Sequence, residues 1–301
     1  MSQVLPPDFD AAASTPYPLV ISLHPAIPGG QEQHHLTDAA GAQRTGRDIV
    51  APRAVVWASF KNEPPPGSGM YMQKADGSDL WESFVIEEFI PFIEQKYCCG
   101  GDQSRVRAAC CCPSSQSPAD PCCRHQRYLT GICMGGLGTL KYAFKYPHLF
   151  AGAAAQQPAM VCGDDATVLP LEIDQMATNS EDNIETYGAA TMAETDRDFF
   201  RGFISPIAMC LDNAAAIRQS GVKIYLDVGD RDFLGLANAA ELMHRVLWEQ
   251  RIEHEYHLVH LGDHAGSSWR NRGPEAMDFL FRTMDNALDP VDPLTPEERA
   301  Y

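Results

Sequence analysis

One stretch limits what this chain can fold into more than any other: Tyr128-Leu-Thr-Gly131-Ile-Cys133-Met134-Gly135-Gly136-Leu-Gly138. Tyr128 to Ile132 is a short apolar run, which predicts a buried strand. From Met134 to Tyr146 apolar residues recur at helical spacing, at Met134, Leu137, Leu140 and Phe144, which predicts a helix. Between the two lies Gly-x-Cys-x-Gly. A strand that turns into a helix this sharply puts the residue at the corner on a strained backbone, and side chains at the flanking positions would clash. The pattern is that of a nucleophile elbow, with cysteine where serine is usual. The helix start would offer N–H groups and positive dipole potential to an anion forming beside the sulfur. A plainer reading stands next to it: a strand-to-helix turn in which Cys133 is a buried, inert thiol.

The rest of the chain alternates strand and helix. Pro18 to Leu23, a run within 48–60, Phe150 to Ala155, Val222 to Val228 and Glu255 to Val259 read as strands. A helix kinked at Pro91 is predicted from about Leu80, others over Leu236 to Gln250 and Pro274 to Met284, the last with Pro in its first turn. This alternation implies an α/β chain with a doubly wound, mostly parallel sheet. Residues 1–17 read as an irregular arm, 18–288 as the single domain and 289–301 as a loosely attached tail. Within the domain, 98–126 reads as a Cys-rich loop insertion and 157–221 as a lid-like insertion over the strand ends.

Composition removes several classes of partner. The formal net charge is −17, with no basic stripe to neutralise phosphates, so neither nucleic acid nor an anionic membrane is an expected partner. The N-terminal segment lacks a basic region followed by an apolar core, and no window approaches a membrane span, so the expected location is cytoplasmic. Seven of the ten cysteines, Cys98, Cys99, Cys110, Cys111, Cys112, Cys122 and Cys123, fall in the insertion. They are not spaced as Cys-x-x-Cys pairs, so neither a metal nor any other cofactor is expected. Nothing in the composition excludes a homo-oligomer.

A thiol needs help to react. At its ordinary pKa only a small fraction is thiolate at neutral pH, and a histidine oriented by a carboxylate can take the proton. Sites on doubly wound sheets lie at the carboxyl ends of strands, where this chain carries Cys133, the Asp227-Val-Gly-Asp230-Arg-Asp232 turn and Gly262-Asp-His264. The order nucleophile, acid, histidine is that of the α/β-hydrolases. Cys133, Asp232 and His264 are the candidate triad; Asp230 and Asp227 compete for the acid and His260 for the histidine. The oxyanion needs two N–H donors. Met134 follows the nucleophile, and Ala26 lies in the loop after the first strand, where Pro25 has no N–H to give. His24 reads as a packed strand-end residue.

Tyr128-Leu-Thr-Gly-Ile-Cys-Met-Gly-Gly-Leu-Gly-Thr-Leu-Lys-Tyr-Ala-Phe-Lys-Tyr-Pro-His-Leu-Phe-Ala151 resembles the elbow segment of an esterase family. That family includes esterase D (S-formylglutathione hydrolase), feruloyl esterases and mycolyltransferases. Phe89-Ile-Pro-Phe-Ile-Glu-Gln-Lys-Tyr97 is similar to its helix before the elbow strand, and the Asp227–Asp232 and Gly262–His264 segments to its acid and histidine loops. The resemblance implies an α/β-hydrolase fold and chemistry on small acyl esters or thioesters. It departs at the nucleophile, serine in that family and Cys133 here, as in dienelactone hydrolases. The expected function is hydrolysis of an acyl ester, lactone or thioester through an acyl-cysteine. Acyl transfer by the same triad, and a hydrolase fold that only binds, are the rivals.

The insertion reading has a direct check. Replacing 98–123 by a short Gly/Ser loop should leave turnover intact, since loop length changes stability only slowly. Collapse of the fold together with loss of bound zinc, read by metal analysis, would overturn it.

Overall fold

A computed structural model describes residues 2–6, 8–10, 17–25, 55–60, 71, 81–97, 127–160, 205–264 and 267–285. In chain order these form β1 (Ser2–Val4), β2 (Leu19–Leu23), β3 (Val56–Ser59), α1 (Ile90–Tyr97), β4 (Arg127–Ile132) and α2 (Met134–Lys145). There follow β5 (Gly152–Gln156), α3 (Pro206–Ser220), β6 (Lys223–Gly229), α4 (Leu236–Glu249), β7 (His254–Val259) and α5 (Ser267–Met284). The strands make one seven-stranded sheet in the order β1-β3-β2-β4-β5-β6-β7. Every pairing but β1 with β3 is parallel. This is the α/β, doubly wound, mostly parallel sheet expected from the alternation of patterns.

The strand period of two sorts side chains between the faces. Val20, Tyr128, Ala154 and Tyr225 point to one side and pack with Ala276, Met277, Phe279 and Leu280 of α5. Ile21, Leu129, Ala153, Ala155, Ile224 and Leu226 point to the other, with Leu137, Leu140 and Phe144 of α2, Ile217 of α3 and Met243 of α4. The small residues of β5 let α2 and α5 approach it closely from opposite sides. Register then levels the strand ends: Leu23 pairs with Gly131, Ile132 with Gln156, Gln156 with Asp227, and Gly229 with Val259. The elbow, the aspartate turn and the histidine loop therefore leave the sheet at one edge.

Several local expectations change. Residues 2–4, expected to be irregular, pair antiparallel with β3 through Ser2↔Ser59 and Val4↔Trp57; the outer edge of β3 thereby gains backbone partners. Residues 205–221, assigned from sequence to a lid-like insertion, hold a helix that packs on α2. Its Ser205 side chain accepts from the Ala208 N–H at 3.2 Å, and Ile207, Met209, Cys210, Ala214 and Ile217 are buried. The last helix begins at Ser267, and Pro274 lies inside it. Before Pro91, the chain runs as a π-helix over Phe84–Phe89, with Ile90 N–H donating five residues back to the Val85 carbonyl. The wider turn answers the missing N–H and crowded carbonyl that a proline brings to an α-helix. Residues 98–126, 161–204 and 289–301, and much of 1–17, lie outside the described residues.

Among the described residues no helix is long and apolar enough to cross a membrane. Charged side chains are nonetheless buried. Lys141 of α2 is fully buried, ion-paired with Glu82 at 2.6 Å and donating to the Tyr71 carbonyl at 3.1 Å; burial pushes it down to about 8. Arg127, at the start of β4, is 7% exposed and takes both oxygens of Glu94 on α1. Truncating Glu94 takes both of those oxygens from a guanidinium buried between sheet and helix. Glu94→Ala should lower stability by about 3–5 kcal/mol, measured as a shifted urea midpoint; an unmoved midpoint would show that the pair contributes nothing net.

Candidate active site

Cys133 sits between β4 and α2 at φ 55° and ψ −117°, a conformation that costs a non-glycine residue about 1–3 kcal/mol. Three backbone bonds hold it there. Its N–H donates to the Gln156 carbonyl at 3.0 Å, and its own carbonyl accepts from Leu137 and Ala159, both at 3.0 Å. The flanking glycines are required by space. A Cβ on Gly131 would stand 2.3 Å from the Gly135 carbonyl oxygen, one on Gly135 1.9 Å from the Leu23 oxygen, and one on Gly136 2.7 Å from the Gln156 oxygen. Each distance is far inside contact range. Met134 is the first residue of α2, so its N–H belongs to the helix start beside the sulfur.

His264 follows β7 and is 5% exposed. Its Nδ1 lies 2.8 Å from Asp232 Oδ2, and the Cys133 side chain is near enough to favour its charged form. The other oxygen of Asp232, Oδ1, accepts the Leu234 N–H at 2.9 Å, which fixes the carboxylate plane. Burial works against a charged imidazole here. Asp232 and Cys133 outweigh it, and His264 is raised to about 9. The ring thus lies between a carboxylate and a sulfur that both favour its protonated form. Phe233 covers the ring edge-on, with centroids 5.4 Å apart.

The competitors go elsewhere. Asp230 Oδ2 lies 2.9 Å from Nδ1 of the exposed His260. Asp227 is fully buried, ion-paired with Arg272 at 3.0 Å; burial raises it to about 6 against the pull of that arginine. His24 is buried, with its Nδ1 2.8 Å from the Pro25 carbonyl. Of the sequence-derived candidates, the structure brings Cys133, Met134, Asp232 and His264 together, and Ala26 lies outside the described residues. Among the described residues no cluster of three or more His, Cys, Asp or Glu could hold a metal ion. Two residues of the site surroundings, Gln157 and Arg272, carried no signal in the sequence beyond a position just past β5 and a place in a helical run.

A family model described as Esterase, "Putative esterase", matches residues 1–277. A search of curated proteins gave no match. Solved structures similar in fold include a ferulic acid esterase at 20% identity and TM-score 0.62, with 93% of this chain and 91% of that chain covered. An S-formylglutathione hydrolase from Agrobacterium tumefaciens superposes at 16% identity and TM-score 0.61, covering 94% and 88%. The serine hydrolase FphF of Staphylococcus aureus superposes at 16% and 0.60, covering 94% and 91%. At these identities the likeness is one of fold, the α/β-hydrolase fold.

The packing at Gly135 makes a sharp expectation. Gly135→Ala places a methyl on the Leu23 carbonyl, so α2 must shift away from β2 and carry the elbow with it. Soluble, folded Gly135→Ala protein should lose at least about a hundredfold in ester turnover, the scale of a small misplacement of a reacting group. Wild-type turnover would show that the elbow is not where the chemistry happens.

Proposed function

Because the chain belongs to the esterase family, we propose that it hydrolyses a small acyl ester, lactone or thioester through an acyl-cysteine on Cys133. The observation that carries the reading is one arrangement: a cysteine held at the strained corner of the elbow, in reach of a histidine whose far nitrogen is fixed by a buried aspartate. A structural thiol needs neither the strain nor the pair.

The steps follow from the charges. The Cys133 thiolate attacks the substrate carbonyl carbon, and the C=O electrons move to oxygen. The Met134 N–H at the start of α2 stabilises that oxyanion in this reading, with Ala26 proposed as the second donor. When the intermediate collapses, the C–O or C–S bond to the leaving group breaks, and His264 gives its proton to the departing alkoxide or thiolate. His264, now neutral, takes a proton from water; the resulting hydroxide attacks the thioester, and the acid leaves as the Cys133 thiolate and the imidazolium are restored. Asp232 keeps one tautomer and stabilises the cation throughout.

Steady-state hydrolysis of a short-chain aryl ester and of an acyl thioester tests this. Cys133→Ala should fall by several orders of magnitude in kcat, as nucleophile removal does. Cys133→Ser should lose roughly tenfold to a thousandfold on both substrates, comparable to losing one oxyanion contact, because oxygen depends wholly on a neutral base and sits differently against the donors. In the wild type, kcat/KM should decline as pH rises through about 9, where His264 loses the proton it must deliver. A serine variant that gains on both substrates would overturn the cysteine reading, and full activity in Cys133→Ala would overturn the nucleophile itself.

A further inference from the structure

Behind the histidine loop lies a polar cluster that the mechanism above does not use. Arg272, in the second turn of α5, is 1% exposed. One terminal nitrogen donates to Asp227 Oδ1 at 3.0 Å. The other donates to the Asp263 carbonyl at 2.6 Å and to the side-chain oxygen of Gln157. The Gln157 amide nitrogen in turn donates to the carbonyl of His264 itself. Gln157 is held for this task at φ 35°, a left-handed conformation uncommon for a non-glycine residue, with its N–H on the Asp227 carbonyl at 2.7 Å.

Two consecutive residues at the end of β5 thus address both halves of the reacting pair. The Gln156 carbonyl takes the Cys133 N–H, and the Gln157 side chain takes the His264 carbonyl. Arg272 ties the second of these to the loop carbonyl one residue earlier. A planar guanidinium suits the work, since its fixed donors can reach three acceptors in set directions. Ion pairing alone is a weak account of the cluster, because a buried arginine–carboxylate pair gives little net stability over an apolar replacement. What the pair does here is aim donors at the two peptide groups that carry the imidazole.

Resting on the reading of His264 as the proton carrier, we propose that Arg272 and Gln157 are positioning residues that set the height and tilt of the His264 ring over Cys133. They touch neither substrate nor sulfur. Their effect is on the rate of the chemical steps and on the Cys133–His264 pair, with substrate binding left alone.

The test compares the full-length wild type with Gln157→Met, Arg272→Lys and His264→Ala on a short-chain aryl ester. Gln157→Met keeps length and loses only the amide; Arg272→Lys keeps the charge facing Asp227 and loses the planar fork. Both should lower kcat by roughly tenfold to a hundredfold, the scale of a displaced catalytic group, with KM within about twofold. A second readout is the pH profile of Cys133 alkylation by iodoacetamide, resolved by peptide mass spectrometry so that the other cysteines do not interfere. In Gln157→Met the profile should move to higher pH, since a misplaced imidazolium favours the thiolate less. A merely structural role would lower the melting temperature and leave the profile where it is. If Gln157→Met keeps wild-type kcat and alkylation profile while His264→Ala is inactive, the positioning role is wrong and the triad stands. If His264→Ala keeps wild-type turnover, the reading beneath it falls. Should Arg272→Lys not fold, Gln157→Met decides alone.

Discussion

The elbow helix packs directly onto the end of β2. With no side chain on Gly135, α2 comes down onto the Leu23 carbonyl, where a Cβ would stand 1.9 Å away. That approach lets Cys133 follow β4 directly into a helix at φ 55°. It also puts the start of α2, with its unspent N–H dipoles, beside the end of the strand that leads to the proposed oxyanion loop. Larger residues at 131, 135 or 136 would push the helix off the sheet. The site depends on this contact because every other part is levelled to it by strand register.

Buried charge serves the same edge. Lys141 and Glu82 connect α2 to the Tyr71 carbonyl, and the Tyr71 hydroxyl donates to the His24 carbonyl at 3.1 Å. Arg272 and Asp227 connect α5 and β6 to the histidine loop. In both, ionised groups taken out of water are compensated by a partner and by backbone carbonyls, which keeps the desolvation cost tolerable. Such pairs contribute little to net stability, but their donors have fixed directions. They sit behind loops that must hold shape while carrying polar groups toward a substrate.

The two neighbouring aspartate–histidine pairs show what burial decides. Asp230 with His260 and Asp232 with His264 have almost the same geometry, 2.9 Å and 2.8 Å between the atoms concerned. His260 is 84% exposed and His264 4% by side chain. Water surrounds the first pair, whereas in the second the carboxylate and sulfur raise the buried imidazole to about 9. Identical residue types a few positions apart thus carry different chemistry.

The elements and the elbow turn were legible in the sequence because they depend on residues a few positions apart. Periods of two and of three to four mark strand and helix, and Gly-x-Cys-x-Gly marks a turn that only small flanking residues permit. Family membership followed from the same local signals. Boundaries set by tertiary contact were not legible: the pairing of residues 2–4 with β3, the core packing of Pro206–Ser220, and a last helix running through Pro274. The choice among Asp227, Asp230 and Asp232 was weighed from sequence, but geometry settles which meets His264. It turns on Gly229 packing against Gly262 and on the Arg231 N–H reaching the Gly262 carbonyl at 2.8 Å, which aligns the two loops. Arg272 and Gln157 lie 115 residues apart, and Gln157 and His264 107 apart. No local pattern encodes a hydrogen bond across such a distance; only the folding of β5, β6 and α5 against one another brings those donors to the histidine loop.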